Sequence, residues 1–405
     1  MRVSIKPSRV CGEISAPPSK SMAHRLLISA ALCRQKSEIS NVAFSDDIRA
    51  TLGALRSLGA KCTASGDRVT VEGIDFTAPF SEIKIDCIEC GSTLRFIIPL
   101  CLLTGAPTEI TGSRKLLSRP LSVYEQICKE NNFRFENNGS KILLEGKLTA
   151  GDYVVPGNIS SQFVSGLLFA LPLLKGDSTV TVTKPVESLS YIKMTLDAMR
   201  LFGIDLDWND GKIFIKGGSQ YAPLNAAVEG DYSNAAFFEA LNLVGGDVCV
   251  KGLNPDSLQG DRVYKEYFEK LKNGNAVIDI GDCPDLGPVL IAAAAALGGG
   301  RFVGTARLKI KESDRSEAMR QELLKFGVNI TVKDNEIIVP NECLSTPKEP
   351  IFGHHDHRIV MANSVLLTKT GGVIDGAEAV NKSFPDFFEK LSSLKVEVMT
   401  DGMDK

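Results

Sequence analysis

The chain has 405 residues, 43% of them hydrophobic and 23% charged, and a formal net charge of −3. That length exceeds one ordinary core and the composition is globular, so a disordered chain is excluded and two lobes are expected. The near-neutral balance and the single Trp leave no broad basic face or stacking platform for nucleic acid, so any positive site must be local.

The opening "MRVSIKPSRVCGEI" alternates like a strand and carries no signal-peptide pattern. No apolar run reaches the length of a membrane span, so no membrane partner is expected. "SAPPSKSMAHRLLISAAL" (15–32) then begins a helix that is apolar almost without relief, with Lys20 and Arg25 near its start, where the helix dipole disfavours cations. The ten cysteines have no framework spacing and read as buried thiols in a reducing cytoplasm. "CIEC" (87–90) lacks a second pair, so no zinc site is expected there, and no metal or cofactor elsewhere.

The plan of that first helix recurs along the chain. "PLCLLTGAPTEITG", "ALPLLKGDSTVTVT", "EALNLVGGDVCVKG", "AAAAALGGGRFVGT" and "ANSVLLTKTGGVIDG" each end an apolar helix at Gly and pass into a short β-rich run. Each copy continues into a polar loop and a second helix with a one-sided stripe. These stripes are Ile48/Leu52/Leu55, Ile192/Leu196/Met199, Tyr264/Phe268/Leu271, Met319/Leu323/Phe326 and Phe387/Leu391/Leu394, with a weaker Val123/Ile127. Hairpins are predicted after several of them, as in "GIDLDWNDGKIFIKGG", "GVNITVKDNEIIV" and "NFRFENNGSKILLEG". The unit is helix, strand, helix, hairpin, with a period of roughly 60–70 residues, and six fit the length. Three units per lobe place the boundary near "GGSQYAPL" (217–224): an N-terminal lobe over 15–222 and a C-terminal lobe over 223–405.

The starts of the six apolar helices are polar: "SKSMAHR", "ECGSTLR", "NISSQF", "GDYSNA", "CPDLGP" and "HHDHR". Ser, Asp and Asn there are ordinary N-caps. Capping does not explain Lys20, Arg25, Arg95 and Arg358, which oppose the dipole. Parallel helices present their free N–H groups on one surface, and cations added to it suit a ligand with several negative charges, phosphates and carboxylates above all. The loops "GSRKLLSRP", "KIKESDRSE" and "AVNKSFPDFF" add Arg114, Lys115, Arg119, Lys309, Lys311, Arg315 and Lys382.

"PPSKSMAHR", "GSTLR", "SRPL", "NISSQF", "KESDR", "HDHR" and "NKSFPDFF", in this order over essentially the whole chain, resemble the 5-enolpyruvylshikimate-3-phosphate synthase family. The resemblance implies an α/β fold of two lobes, each of three βαβαββ repeats, with buried parallel helices whose N-termini face an interlobe cleft. It also implies that strand 1–14 joins the C-terminal lobe. The implied reaction moves the enolpyruvyl (1-carboxyvinyl) group of phosphoenolpyruvate to the 5-hydroxyl of shikimate 3-phosphate by addition and elimination, releasing phosphate, in aromatic amino-acid biosynthesis.

By the same resemblance, Lys20, Ser21, Arg25, Ser160, Ser161, Gln162, Ser188 and Tyr191 hold shikimate 3-phosphate, with Asp285 and Lys311 near its attacked hydroxyl. Lys20, Gly91, Arg119, Gln162, Arg315, Arg358 and Lys382 hold phosphoenolpyruvate, with His357 beside that clamp. The implied catalytic residues are Asp285, Glu312, Lys20, Lys311, His357 and Lys382: Glu312 or Lys382 protonates the methylene carbon, and Asp285 takes the hydroxyl proton or orients the hydroxyl with Lys311. Glu89, Cys90, Ser92, Phe96 and Arg307 depart from residues common in the family. A monomer that opens without ligand and closes on it is expected.

Other readings are weighed against this one. The sister enzyme acting on UDP-N-acetylglucosamine commonly carries a loop Cys where this chain has Arg114, and RNA 3′-phosphate cyclase needs a histidine that has no counterpart here. A non-catalytic phosphosugar binder would not need Asp285, Lys311 and Glu312 beside arginines. A metal at His354, His355, Asp356 and His357 would need adjacent residues to converge, although neighbours on a strand alternate in direction.

Overall fold

The computed structural model describes residues 1–274 and 276–401. The chain divides into two compact units, Pro18–Glu229 and Met1–Pro17 with Gly230–Lys405. Each has its own apolar core, one built from residues between Met22 and Val228, the other from Val3–Ile14 together with Tyr232–Val396.

The Pro18–Glu229 unit carries three sheets. In the second, Ile83–Asp86 runs parallel to Thr108–Thr111, and the hairpin Arg134–Asn137/Lys141–Glu145 extends the sheet antiparallel. A parallel pair requires a crossover, and the apolar helix Gly91–Thr104 supplies it. The third sheet repeats this with Asp152–Pro156, Ser178–Thr183 and Lys212–Ile215 around the helix Ser161–Ala170. In the first, Lys36–Ser40 and the hairpin Lys61–Ser65/Arg68–Glu72 follow the helix Lys20–Leu32. Its parallel neighbour is Asn225–Ala227, from the far end of the unit. That strand sets the boundary after Glu229, a few residues beyond the stretch that composition marks.

The other unit repeats the pattern around Tyr232–Ala240, Gly287–Leu297 and His357–Thr370. Val277–Asp279 and Gly300–Val303 form a parallel pair extended by Glu336–Val339 and Thr331–Val332. Arg2–Ile5 lies between Gly372–Asp375 and Val398–Thr400, and Cys11–Ser15 pairs parallel with Asp247–Lys251. The first seventeen residues thus complete two sheets of the distal part of the chain.

The six apolar helices are buried nearly all round, as their uniform hydrophobicity requires; Met22–Leu32 has no exposed residue. Close approach is purchased with glycine: a Cβ on Gly166 would meet the Tyr124 hydroxyl at 2.4 Å and the Arg95 carbonyl at 2.5 Å. Gly105, Gly245 and Gly298 end their helical segments in the left-handed conformation. Gly176 does not: Ser161–Ala170 tightens into the 3₁₀ turn Leu171–Leu173 around Pro172 and stops at Leu174. The predicted hairpin over 203–216 forms only its second arm, Lys212–Ile215. Ile204 and Leu206 are buried, but the first arm is tied by the single bridge Asn209–Lys212. No helix among the described residues is long and apolar enough to cross a membrane.

Candidate active site

Five of the six buried helices are capped by the residue before them: Ser19, Cys90, Ser160, Asp231 and Asp356 each accept a backbone N–H with the side chain. The sixth start, Pro284–Leu286 ahead of Gly287, leaves Asp285 for other partners. Capping therefore accounts for Ser19, Ser160, Asp231 and Asp356, and the cations of these motifs require a separate explanation.

In the Pro18–Glu229 unit three helix starts converge through side chains. Lys20 Nζ lies 2.7 Å from Asp47 Oδ2, on the helix Asp46–Ser57. Gly91 sits against two guanidiniums, since a Cβ there would meet Arg119 Nη1 at 2.7 Å and Arg95 Nη1 at 3.1 Å. Arg95 donates to Gln162 Oε1 at 2.9 Å, and Gln162 Nε2 donates to Ser92 Oγ at 2.9 Å, tying the Gly91 and Ser161 helices together. Ser160 caps the second of these through Gln162 N, and Ser161 is buried beside it. Arg25 is buried and donates to Thr195 Oγ1, the Ser21 carbonyl and the Tyr191 carbonyl at 2.9, 2.7 and 2.9 Å. All three acceptors are neutral, and burial pushes the Arg25 guanidinium down to about 10. Ser188 starts the helix Leu189–Leu201 from the left-handed region, φ 56°, which turns the chain so that Tyr191 reaches Arg25.

The Gly230–Lys405 segment assembles its predicted residues around Arg315. This guanidinium is 1% exposed and donates to three carboxylates: Asp356 Oδ2 at 2.9 Å, Asp285 Oδ1 at 2.8 Å and Glu312 Oε2 at 2.7 Å. Asp285 also pairs with Lys311 Nζ at 3.1 Å and Arg358 Nη2 at 3.4 Å. Arg358 Nη1 reaches Ser233 Oγ at 2.6 Å and the Asp285 carbonyl at 3.1 Å, so three helix starts meet here too. Burial raises the Asp285 carboxyl, but Arg358, Lys311 and Arg315 outweigh it and hold the group well below the usual range. Burial pushes Lys311 down to about 8 despite Asp285. His357 is buried with Nδ1 3.9 Å from Asp356. Lys382 is buried at the end of the 3₁₀ segment Ala377–Lys382, which packs on the His357 helix.

Three contributors were not singled out from the sequence, and a fourth, Asp356, was weighed there only as part of a metal group. Asp47 holds Lys20, and Asp356 holds Arg315; neither pairing is visible in the sequence, where both are acids at a helix start. Asp261, beside Asp285 and Arg358, is pushed up to about 7 by burial and by the Asp285 charge. Glu322 is buried and binds His354 Nε2 at 2.7 Å and Phe352 N at 2.9 Å. It thereby pins a turn in which His354 and His355 both take positive φ. His354 thus faces Glu322 while His357 lies in the helix start, so the tandem histidines share no focus.

Comparison with known proteins identifies the family. Residues 5–391 match the family described as EPSP synthase (3-phosphoshikimate 1-carboxyvinyltransferase). A 3-phosphoshikimate 1-carboxyvinyltransferase of Clostridium kluyveri is 39% identical, over 98% of this chain and 98% of that protein. One from Clostridioides difficile is 36% identical, over 97% of each. The fold matches an EPSP synthase from Acinetobacter baumannii with a TM-score of 0.79 at 23% identity, covering 98% of this chain and all of that one. With the order of its motifs, its fold and its relatives in agreement, the chain belongs to the EPSP synthase family.

Proposed function

We infer that this chain transfers the enolpyruvyl group of phosphoenolpyruvate to the 5-hydroxyl of shikimate 3-phosphate and releases phosphate. Beyond family membership, the observation that carries the reading is the Arg315 cluster, where one carboxylate, Asp285, is shared by Arg315, Lys311 and Arg358. A carboxylate held ionised beside an amine whose proton is loosely bound is the pair needed to orient a hydroxyl and take its proton as it attacks.

The addition step protonates the methylene carbon of phosphoenolpyruvate while the hydroxyl oxygen bonds to the neighbouring carbon. Glu312 or Lys382 delivers that proton, and Asp285 takes the hydroxyl proton or, with the Lys311 ammonium, orients the hydroxyl. The tetrahedral product then returns a methyl proton to the group that delivered it, and the carbon–carbon double bond re-forms as the bond to phosphate breaks. Arg119, Arg315 and Arg358, with Lys20, Lys382, Gln162 and the backbone of Gly91, grip the carboxylate and phosphate of phosphoenolpyruvate and stabilise the charge that develops on them. Lys20, Ser21, Arg25, Ser160, Ser161, Gln162, Ser188 and Tyr191 hold shikimate 3-phosphate; Arg25 supports this role because its charge rests on neutral acceptors. The small space beside Gly91 supports a phosphate against backbone, with two guanidiniums already at its edge. Ten free cysteines support a reducing cytoplasm, and clusters built from one chain support a monomer.

The test is phosphate release from purified protein given both substrates. Arg119→Ala and Asp285→Ala are expected to lower kcat/KM by about 10²–10⁴-fold. A protein inert with this pair and active on UDP-N-acetylglucosamine would overturn the assignment.

A further inference from the structure

Among the described residues, one group of three His, Cys, Asp or Glu side chains brings its ligand atoms within 4.8 Å of one another: His24, Asp47 and Cys90. They come from three different elements, the Lys20–Leu32 helix, the Asp46–Ser57 helix and the cap of the Gly91–Thr104 helix. All three are at least nine-tenths buried. We propose that His24, Asp47 and Cys90 form a binding site for a borderline-soft divalent cation such as Zn²⁺, and that its occupation inhibits the enzyme through Lys20.

The geometry suits a tetrahedral ion. His24 Nε2 and Cys90 Sγ are 3.8 Å apart. With Zn–S of about 2.3 Å and Zn–N of about 2.0–2.1 Å, a tetrahedral angle places N and S about 3.6 Å apart. A nitrogen, a sulfur and a carboxylate oxygen are ligands zinc accepts, and a solvent oxygen completes four. A metal-bound histidine needs an outer partner for its other ring N–H, and Thr51 Oγ1 stands 2.7 Å from His24 Nδ1, backed by Thr93 Oγ1 at 2.6 Å. Burial holds His24 neutral, down to about 3, so its lone pair is not lost to protonation at neutral pH. Burial pushes the Cys90 thiol up to about 12, so the ion must displace its proton. Binding forms the metal–sulfur bond and releases one proton to solvent per ion.

Lys20 connects the site to activity. Its ammonium pairs with Asp47 Oδ2, and its side chain is 16% exposed. A divalent ion on Asp47 competes for that carboxylate and repels the ammonium, so Lys20 leaves the position it holds. The inhibitory half of the proposal rests on the reading of Lys20 as a substrate ligand; the binding half does not.

Co²⁺ serves as the spectroscopic probe, added to the full chain with Cys11, Cys249 and Cys343 replaced by Ser to remove the more accessible thiols. The expected result is a saturable thiolate-to-cobalt band in the near ultraviolet at one ion per chain, with about one proton released per ion. Cys90→Ser abolishes the band, and His24→Gln weakens binding at least about tenfold, in the range seen for loss of one ligand or its support. Two variants at separate ligands, each checked for its fold by circular dichroism, keep the test readable if one misfolds. A band unchanged in folded Cys90→Ser, or no band in the parent at millimolar Co²⁺, would overturn the site. Zn²⁺ inhibition of phosphate release that chelator reverses, and that Cys90→Ser resists, supports the link to Lys20; equal inhibition of parent and variant sinks it.

Discussion

Arg25 and Arg315 are both buried guanidiniums near helix starts, one in each unit, and their surroundings are opposite. Arg25 donates to a hydroxyl and two carbonyls, and burial lowers its proton affinity. Burial also works against Arg315, but Asp356, Glu312 and Asp285 overcome it and raise that affinity. Arg315 is compensated by carboxylates of the fold, whereas Arg25 donates only to neutral groups. The difference teaches that a buried guanidinium near a helix start takes its proton affinity from its partners: neutral acceptors leave burial to lower it, and carboxylates reverse that.

The largest break in this comparison comes at Arg315. Arg315→Met removes the guanidinium that Asp356, Asp285 and Glu312 share, breaking its pair with the fully buried Asp356, and is expected to cost about 3–5 kcal/mol of stability, read from the urea midpoint, together with nearly all activity. Arg25→Met strands no carboxylate, so it is expected to cost less stability and to weaken shikimate 3-phosphate binding by roughly 10–100-fold. Calorimetry with that ligand and the loss of its thermal stabilisation measure this effect. Equal stability losses in the two variants would show that the contrast between these arginines is not real.

The smallest effect concerns pH. Lys311 gives up its proton as pH rises through about 8, well below the range of an exposed lysine. Where the ammonium is needed to orient the hydroxyl, kcat/KM falls above that pH, and Lys311→Arg, which stays charged, moves the limb upward. A profile whose upper limb is identical in Lys311→Arg would assign it to another group.

Much of this was legible in the sequence because it is local. Apolar runs ending at Gly, stripes stepping i, i+4, i+7 and polar helix starts are properties of neighbouring residues, and they located the six buried helices and most of the hairpins. The hairpin over 203–216 failed for a nonlocal reason: burying Ile204 and Leu206 does not oblige their backbone to pair with Lys212–Ile215. The cations of the site were visible because they oppose the dipole, and that conflict can be read in one dimension. Their carboxylate partners were not. Asp47 and Asp356 look like ordinary helix-start acids until the fold brings Lys20 and Arg315 to them.

By itself the sequence determined the repeat, the polarity of each buried helix and the residue types gathered at its start, since hydrogen bonding and side-chain period act over a few residues. Only tertiary structure decided which starts meet, that Asn225–Ala227 closes the sheet begun by Lys36–Ser40, and that His24, Asp47 and Cys90 share one space. Such contacts join residues tens to hundreds of positions apart, and their energy depends on the burial and charge that packing creates, which no short window contains.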